Sequence, residues 1–114
     1  MKGKSDRLYL LHIVECIGWI ENYCTIGKEE FLRDRKTQDA VIRNIEIIGE
    51  ASKKISQELK DRYIDIPWKK ISGTRDRIVH DYFGVDYEII WVVVEKELEV
   101  LKREVSKILK EIGN

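Results

Sequence analysis

A chain of 114 residues is long enough to bury one hydrophobic core without disulfides or a structural metal, and it reads as one domain spanning residues 1–114. Charged residues make up 37% and hydrophobic ones 43%, with a single proline, which excludes a disordered segment and favours a compact helical domain. Twenty-one basic residues balance twenty-one acidic ones, so net charge gives no reason for binding nucleic acid, and any affinity for RNA must come from a local patch.

From Ser5 to about Tyr23 the apolar residues Leu10, Ile13, Val14, Ile17 and Ile20 recur at helical spacing, with Ser5 as the expected N-cap and an end before Gly27. Arg7, His12 and Glu15 interrupt these residues, so they do not form the apolar core of a secretory signal. No run approaches the roughly 18 apolar residues of a membrane span. The expected setting is the cytoplasm. Cys16 and Cys24 lie eight residues apart on a helix, too far for a disulfide, and read as buried free thiols. His12 and Cys16 share a helix face, but two ligands do not make a metal site, and an ordinary packed face explains them.

Phe31 and Leu32 suggest a short helical turn. A second long helix is expected from about Thr37, where Val41, Ile45, Ile48, Ser52, Ile55 and Leu59 form one stripe. Gly49 interrupts it at a cost of about 1 kcal/mol relative to alanine, which suggests a close helix contact. The segment Tyr63 to Pro67 should end this helix, since the residue before a proline disfavours the α conformation. Pro67 then suits the first turn of a third helix carrying Trp68 and Ile71. Asp86 is the expected cap of the last helix, with a stripe at Ile90, Val94, Glu97, Leu101, Val105 and Ile108 or Leu109. Trp91 and Val93 broaden that apolar face and hint at a partner surface. The fold class is all-α: an up-and-down bundle of four main helices plus short helical turns.

Between Gly73 and Tyr82 the amphipathic pattern gives way to Gly-Thr-Arg-Asp-Arg-Ile-Val-His-Asp-Tyr. Cleaving RNA without a metal needs a base for the ribose 2′-OH, a cation for the charge growing on phosphorus-bound oxygens, and an acid for the leaving 5′-oxygen. His80 suits proton transfer near neutral pH, and Arg75 suits phosphate, being always charged and able to donate two parallel hydrogen bonds. Asp76, four residues before His80, could orient the imidazole. On an ideal helix Arg75 and His80 differ by about 140°, so they converge only if the helix ends near His80 or two chains share the groove. The plainer alternative keeps Arg75, Asp76 and Arg77 as a solvated face, with His80 and Tyr82 as packing residues. Arg77 could touch phosphate or be structural. Lys69 and Lys70 could extend a basic strip, though a solvated face is simpler. Glu46 and Glu50, one turn apart, could bind a metal or do acid–base work; pairing with arginines such as Arg43 is favoured. Trp68 and Trp91 read as core or interface aromatics.

Arg75-x-x-x-x-His80-x-Tyr82, with polar Asp76 after the arginine, resembles the HepT-type motif of the HEPN ribonucleases. Arg43-Asn44-Ile45-Glu46-Ile47-Ile48-Gly49-Glu50-Ala51 is similar to that family's second-helix signature. Pro67-Trp68-Lys69-Lys70-Ile71-Ser72-Gly73 matches the family's lead-in to the motif, and Val85-Asp86 with Trp91 matches the stretch on its C-terminal side. The resemblance implies a HEPN bundle that forms a homodimer with the RNA groove at its interface. It implies an endoribonuclease toxin without cofactor or metal, with Arg75 and His80 catalytic and Asp76 and Arg77 supporting. It further implies a type VII toxin–antitoxin pair, in which an MntA-type nucleotidyltransferase antitoxin transfers AMP onto the motif tyrosine, here Tyr82. The competing reading is a non-catalytic HEPN subunit that presents a nucleotide or substrate to a partner nucleotidyltransferase.

Overall fold

The computed structural model describes residues 2–80 and 84–113, with backbone alone at positions 2–4, 75, 76, 79 and 80. Helix α1 runs over Lys2–Tyr23. It starts three residues before the expected cap, so Ser5 lies within the helix. Lys2 and Lys4 are good helix formers, and one glycine between them costs only about 1 kcal/mol. Leu10, Ile13, Ile17 and Ile20 are fully buried on one face, while Leu8, Leu11 and Trp19 are exposed. A tight 3-10 turn over Cys24–Ile26 ends at Gly27, whose φ of 89° and ψ of 167° lie in a region open essentially to glycine alone. The chain thus turns into the single-turn helix α2 (Lys28–Phe31), where Phe31 is buried with its ring 5.3 Å from that of Trp91.

Helix α3 (Arg35–Lys54) begins two residues before Thr37, because Asp34 is its cap and accepts from the Lys36 N–H and the Thr37 hydroxyl. The expected long second helix is in fact two. α3 stops at Lys54, and α4 (Gln57–Arg62) starts anew behind Ser56. The Ser56 hydroxyl accepts from the Leu59 N–H at 3.2 Å, the bond of an N-cap. That same hydroxyl donates to Asp6 Oδ2 at 2.6 Å, and the Ser56 N–H donates to Asp6 Oδ1 at 2.8 Å. Asp6 is buried, so its carboxylate anchors the α3–α4 break to α1. Ile55 and Leu59 are buried as the stripe predicts, although no single helix carries them.

Helix α5 (Trp68–Ser72) follows Pro67 and is much shorter than the other main helices. Trp68 is buried, and its indole N–H donates to the Tyr63 carbonyl at 3.1 Å. α5 lies close against α3 at Gly49, where a Cβ would sit 3.4 Å from the Ser72 carbonyl oxygen. The close contact expected at this glycine is therefore real, with room for one methyl group and no more. Helix α6 (Thr74–Ile78) comes next, then strands β1 (Val79–His80) and β2 (Gly84–Val85), paired antiparallel with His80 opposite Gly84. This two-residue ladder is the one departure from helix among the described elements.

Asp86 caps α7 (Tyr87–Val92) as expected, accepting from the Glu88 and Ile89 N–H groups. A π-helical turn over Val93–Glu97 joins it to α8 (Leu98–Ile112), and the Leu98 N–H reaches back five residues to the Val93 carbonyl. The extra residue shifts the apolar stripe. Ile90, Val93, Leu98, Leu101, Val105 and Ile108 are buried, whereas Val94 is only partly so and Glu97 is charged and paired. Val93 is buried in this chain's own core, and Trp91 packs against that core with its ring tilted on Phe31. α1 packs along α3 and α8, and α3 also carries α5 and α6, giving an all-α bundle. Among the described residues no helix is long and apolar enough to cross a membrane. Both cysteines are free thiols, Cys16 buried and Cys24 half-buried. Burial pushes the Cys24 thiol up to about 11. It raises Cys16 as well, with a smaller push from Glu15.

Candidate active site

The candidate segment is built on α5, α6 and the β1–β2 ladder. α5 closes at Gly73, whose N–H donates to the Lys69 carbonyl at 2.9 Å, and α6 starts at the next residue. The buried Thr74 donates its hydroxyl to the Lys70 carbonyl at 2.9 Å, so the two short helices are joined through a side chain. Ile78 is fully buried at the other end of α6, and its carbonyl accepts from the Asp86 N–H at 2.8 Å. Arg75 and Asp76 lie within α6 between these two anchors. α6 ends at Ile78, so His80 falls two residues beyond the helix, in extended backbone. The 140° separation of an unbroken helix therefore does not apply. Opposite His80, Gly84 has a φ of 107°, which strongly favours glycine there. Tyr82 lies outside the described residues.

Arg77 has a defined place. Its two terminal nitrogens donate to the two carboxylate oxygens of Glu97, at 3.0 Å and 2.8 Å, a fork-on-fork pair between α6 and the π turn. Lys70 approaches the same carboxylate at 3.7 Å. The bond to Arg77, more than the charges of Arg77 and Lys70, lowers the Glu97 carboxyl below its ordinary value against the opposing effect of burial. The same bond raises Arg77 above its own ordinary value. Sequence reasoning placed Glu97 in the apolar stripe and missed this pairing; a charge on that stripe was the only local sign.

Beside this pair lies an apolar groove of about 520 Å³, with Ile45, Ile71, Thr74, Val93, Leu98 and Leu101 among its walls and Lys70, Lys96 and Glu97 at its edge. A second groove of about 510 Å³ is lined by Arg43, Glu46, Glu50, Lys53 and Ser72. Glu50 pairs with Lys53 at 3.4 Å there, an ordinary exposed ion pair. Lys69 is exposed, in keeping with a solvated face. Among the described residues no three of His, Cys, Asp and Glu are grouped to hold a metal ion.

The chain is thus a small helical bundle with position 75 on a short helix and position 80 in the extended backbone after it. Residues 13–108 match the family described as "Ribonuclease HepT-like". The chain is 44% identical over 108 residues to the "Probable ribonuclease HepT" of Thermococcus cleftensis, covering 94% of this chain and 98% of that one. It is 43% identical over 108 residues to a "Putative RNase" of Caldanaerobacter subterraneus subsp. tengcongensis, covering 94% and 96%. A "Gamma-glutamylcyclotransferase and putative RNase" of Methanocaldococcus jannaschii is 44% identical over 110 residues, which cover 96% of this chain and 50% of that one. No solved structure matches the chain. This protein belongs to the HepT-like ribonuclease family.

Proposed function

We propose that the chain is a single-domain, metal-independent endoribonuclease in which Arg75 and His80 cleave RNA through the ribose 2′-OH. The observation that carries this reading is the Arg75-x-x-x-x-His80-x-Tyr82 motif inside the family-matched region, with the helix ending between arginine and histidine. Arg75 neutralises the charge that builds on the non-bridging phosphate oxygens as the 2′-oxygen attacks. His80 moves a proton, either from the 2′-OH or to the departing 5′-oxygen. The phosphorus exchanges its 5′-oxygen bond for a 2′-oxygen bond, so the products are a 2′,3′-cyclic phosphate and a 5′-hydroxyl.

In this reading the active form is a homodimer. The apolar groove beside Glu97 supports it as a surface that a second copy could cover. The biological role is that of a toxin in a toxin–antitoxin pair, silenced by an MntA-type nucleotidyltransferase that transfers AMP from ATP onto Tyr82. The chemistry supports that role. Adenylate beside a phosphate-binding Arg/His pair adds negative charge and bulk where the RNA backbone must lie.

Purified protein incubated with RNA under chelating conditions is expected to cleave it, and Arg75→Ala and His80→Ala to be inactive while folded. Cleavage by both variants at the wild-type rate would refute the site. Nucleotide binding without cleavage would favour the non-catalytic subunit instead. Co-expression with the adjacent nucleotidyltransferase should raise the intact mass by whole adenylate units, and Tyr82→Phe should abolish the increment. An increment that persists in Tyr82→Phe places the acceptor elsewhere.

A further inference from the structure

We propose that Glu97 is a positioning residue for RNA cleavage: through its two-pronged bond to Arg77 it fixes the short helix that carries Arg75 and leads into His80. The inference rests on the Arg75/His80 reading of the site.

Helix α6 is five residues long, too short to hold its own geometry, so external tethers must set its orientation. Thr74 and Ile78 pin its two ends to α5 and to the start of α7. Both also bury their side chains in the core, which limits how far the helix can roll. The Arg77–Glu97 fork adds a directional restraint between them, because two parallel bonds of 3.0 Å and 2.8 Å fix direction as well as distance. Positions 75 and 77 are about 200° apart around an ideal helix, so fastening Arg77 to the bundle leaves position 75 on the opposite side.

The π turn is what makes Glu97 available. In a regular helix from Ile90, position 97 would fall in the buried stripe. The inserted residue brings Leu98 into the core and leaves Glu97 at its edge beside α6. Such insertions are uncommon and occur often at functional sites. Both Glu97 oxygens accept from Arg77, and Lys70 stands 3.7 Å from one of them. Arg77 is thereby held away from the role of phosphate clamp, which falls to Arg75.

The test uses the full chain with Glu97→Gln, Arg77→Lys and the reversed pair Arg77→Glu/Glu97→Arg, alongside Arg75→Ala and His80→Ala. Rates are read per folded molecule, as kcat and KM separately, across pH and salt. Glu97→Gln and Arg77→Lys should lower kcat by about tenfold to a hundredfold with KM near wild type. The pH profile should keep both limbs at a lower plateau, and the reversed pair should recover most of the loss. An unchanged kcat per folded molecule in Glu97→Gln overturns the proposal, as does loss of one limb of the pH profile, which would make Glu97 a proton carrier. A raised KM and flatter salt dependence in Arg77→Lys, with Glu97→Gln unaffected, would instead make Arg77 a phosphate contact. If Arg75→Ala and His80→Ala remain active, the site reading itself falls. If they are inactive while Glu97→Gln matches wild type, only the positioning role falls.

Discussion

Replacing Ser56 by alanine removes one oxygen that serves two structures at once. The hydroxyl caps α4 by accepting from the Leu59 N–H, and it donates at 2.6 Å to the buried carboxylate of Asp6 on α1. Loss of an N-cap costs about 1 kcal/mol. Loss of a hydrogen bond to a charged group costs about 1.5–3 kcal/mol. The carboxylate keeps its bond from the Ser56 N–H, so the lower half of that range is the better estimate, and the total is about 2.5–3 kcal/mol. For a chain of this size that corresponds to a fall in Tm of about 10 °C. Urea unfolding should show a lower midpoint with the slope unchanged. Ser56→Thr keeps the hydroxyl and should lose less than half as much. Asp6→Ala/Ser56→Ala should be less destabilised than the sum of its parts, since the groups share one network. A loss below about 1 kcal/mol in Ser56→Ala, or strict additivity in the double variant, would refute the reasoning.

Gly49→Ala should be neutral or stabilising by up to about 1 kcal/mol, because the new methyl meets the Ser72 carbonyl at ordinary contact distance, whereas Gly49→Leu should push α5 off α3 and lower Tm by several degrees. Equal melting temperatures for the two variants would contradict that packing. Gly84→Ala should lower RNA cleavage more than it lowers Tm, because the strained position lies opposite His80 in the ladder; comparing rate per folded molecule with wild type checks this. Both cysteines should react slowly with a thiol reagent in the native protein at pH 7, Cys24 accelerating only as pH nears 11 and both becoming fast on unfolding. Because Glu97 is lowered in the folded state, it favours folding above the ordinary glutamate value of 4.5, and its contribution fades as pH falls below that. Glu97→Gln should therefore flatten acid unfolding between about pH 5 and 3, and an unaltered curve would argue against the pair.

Much of the bundle is written in short-range periodicity. The stripe of α1 and the Asp86 cap depend on residues within a turn or two of one another, and Gly49 signals its contact locally, as a glycine inside an apolar stripe, although its neighbours Ile71 and Ser72 lie on α5. The larger misses, at the α3–α4 break and at Glu97, involve contact between residues distant in sequence. The stripe from Val41 to Leu59 continues through the α3–α4 break, so its period hides the break. Asp6, fifty residues earlier, is what fastens Ser56 there, although Ser56 itself is a usable cap signal. The register of the last helix slipped at Glu97 because a π turn inserts one residue without any glycine or proline to mark it. Its partner Arg77 lies twenty residues upstream, across the β1–β2 ladder. At the candidate site, residue types and spacing point to phosphate and proton chemistry, and the end of α6 at Ile78 removes the fixed 140° separation that an unbroken helix would impose on positions 75 and 80.

The most direct test of the account is the end chemistry of RNA cut by purified protein in excess EDTA, with Arg75→Ala and His80→Ala alongside. The account predicts 2′,3′-cyclic phosphate and 5′-hydroxyl ends from the wild type. It also predicts rates lower by about a hundredfold or more in both variants at unchanged Tm. Cleavage that requires an added divalent ion, or that continues undiminished in either variant, would contradict it.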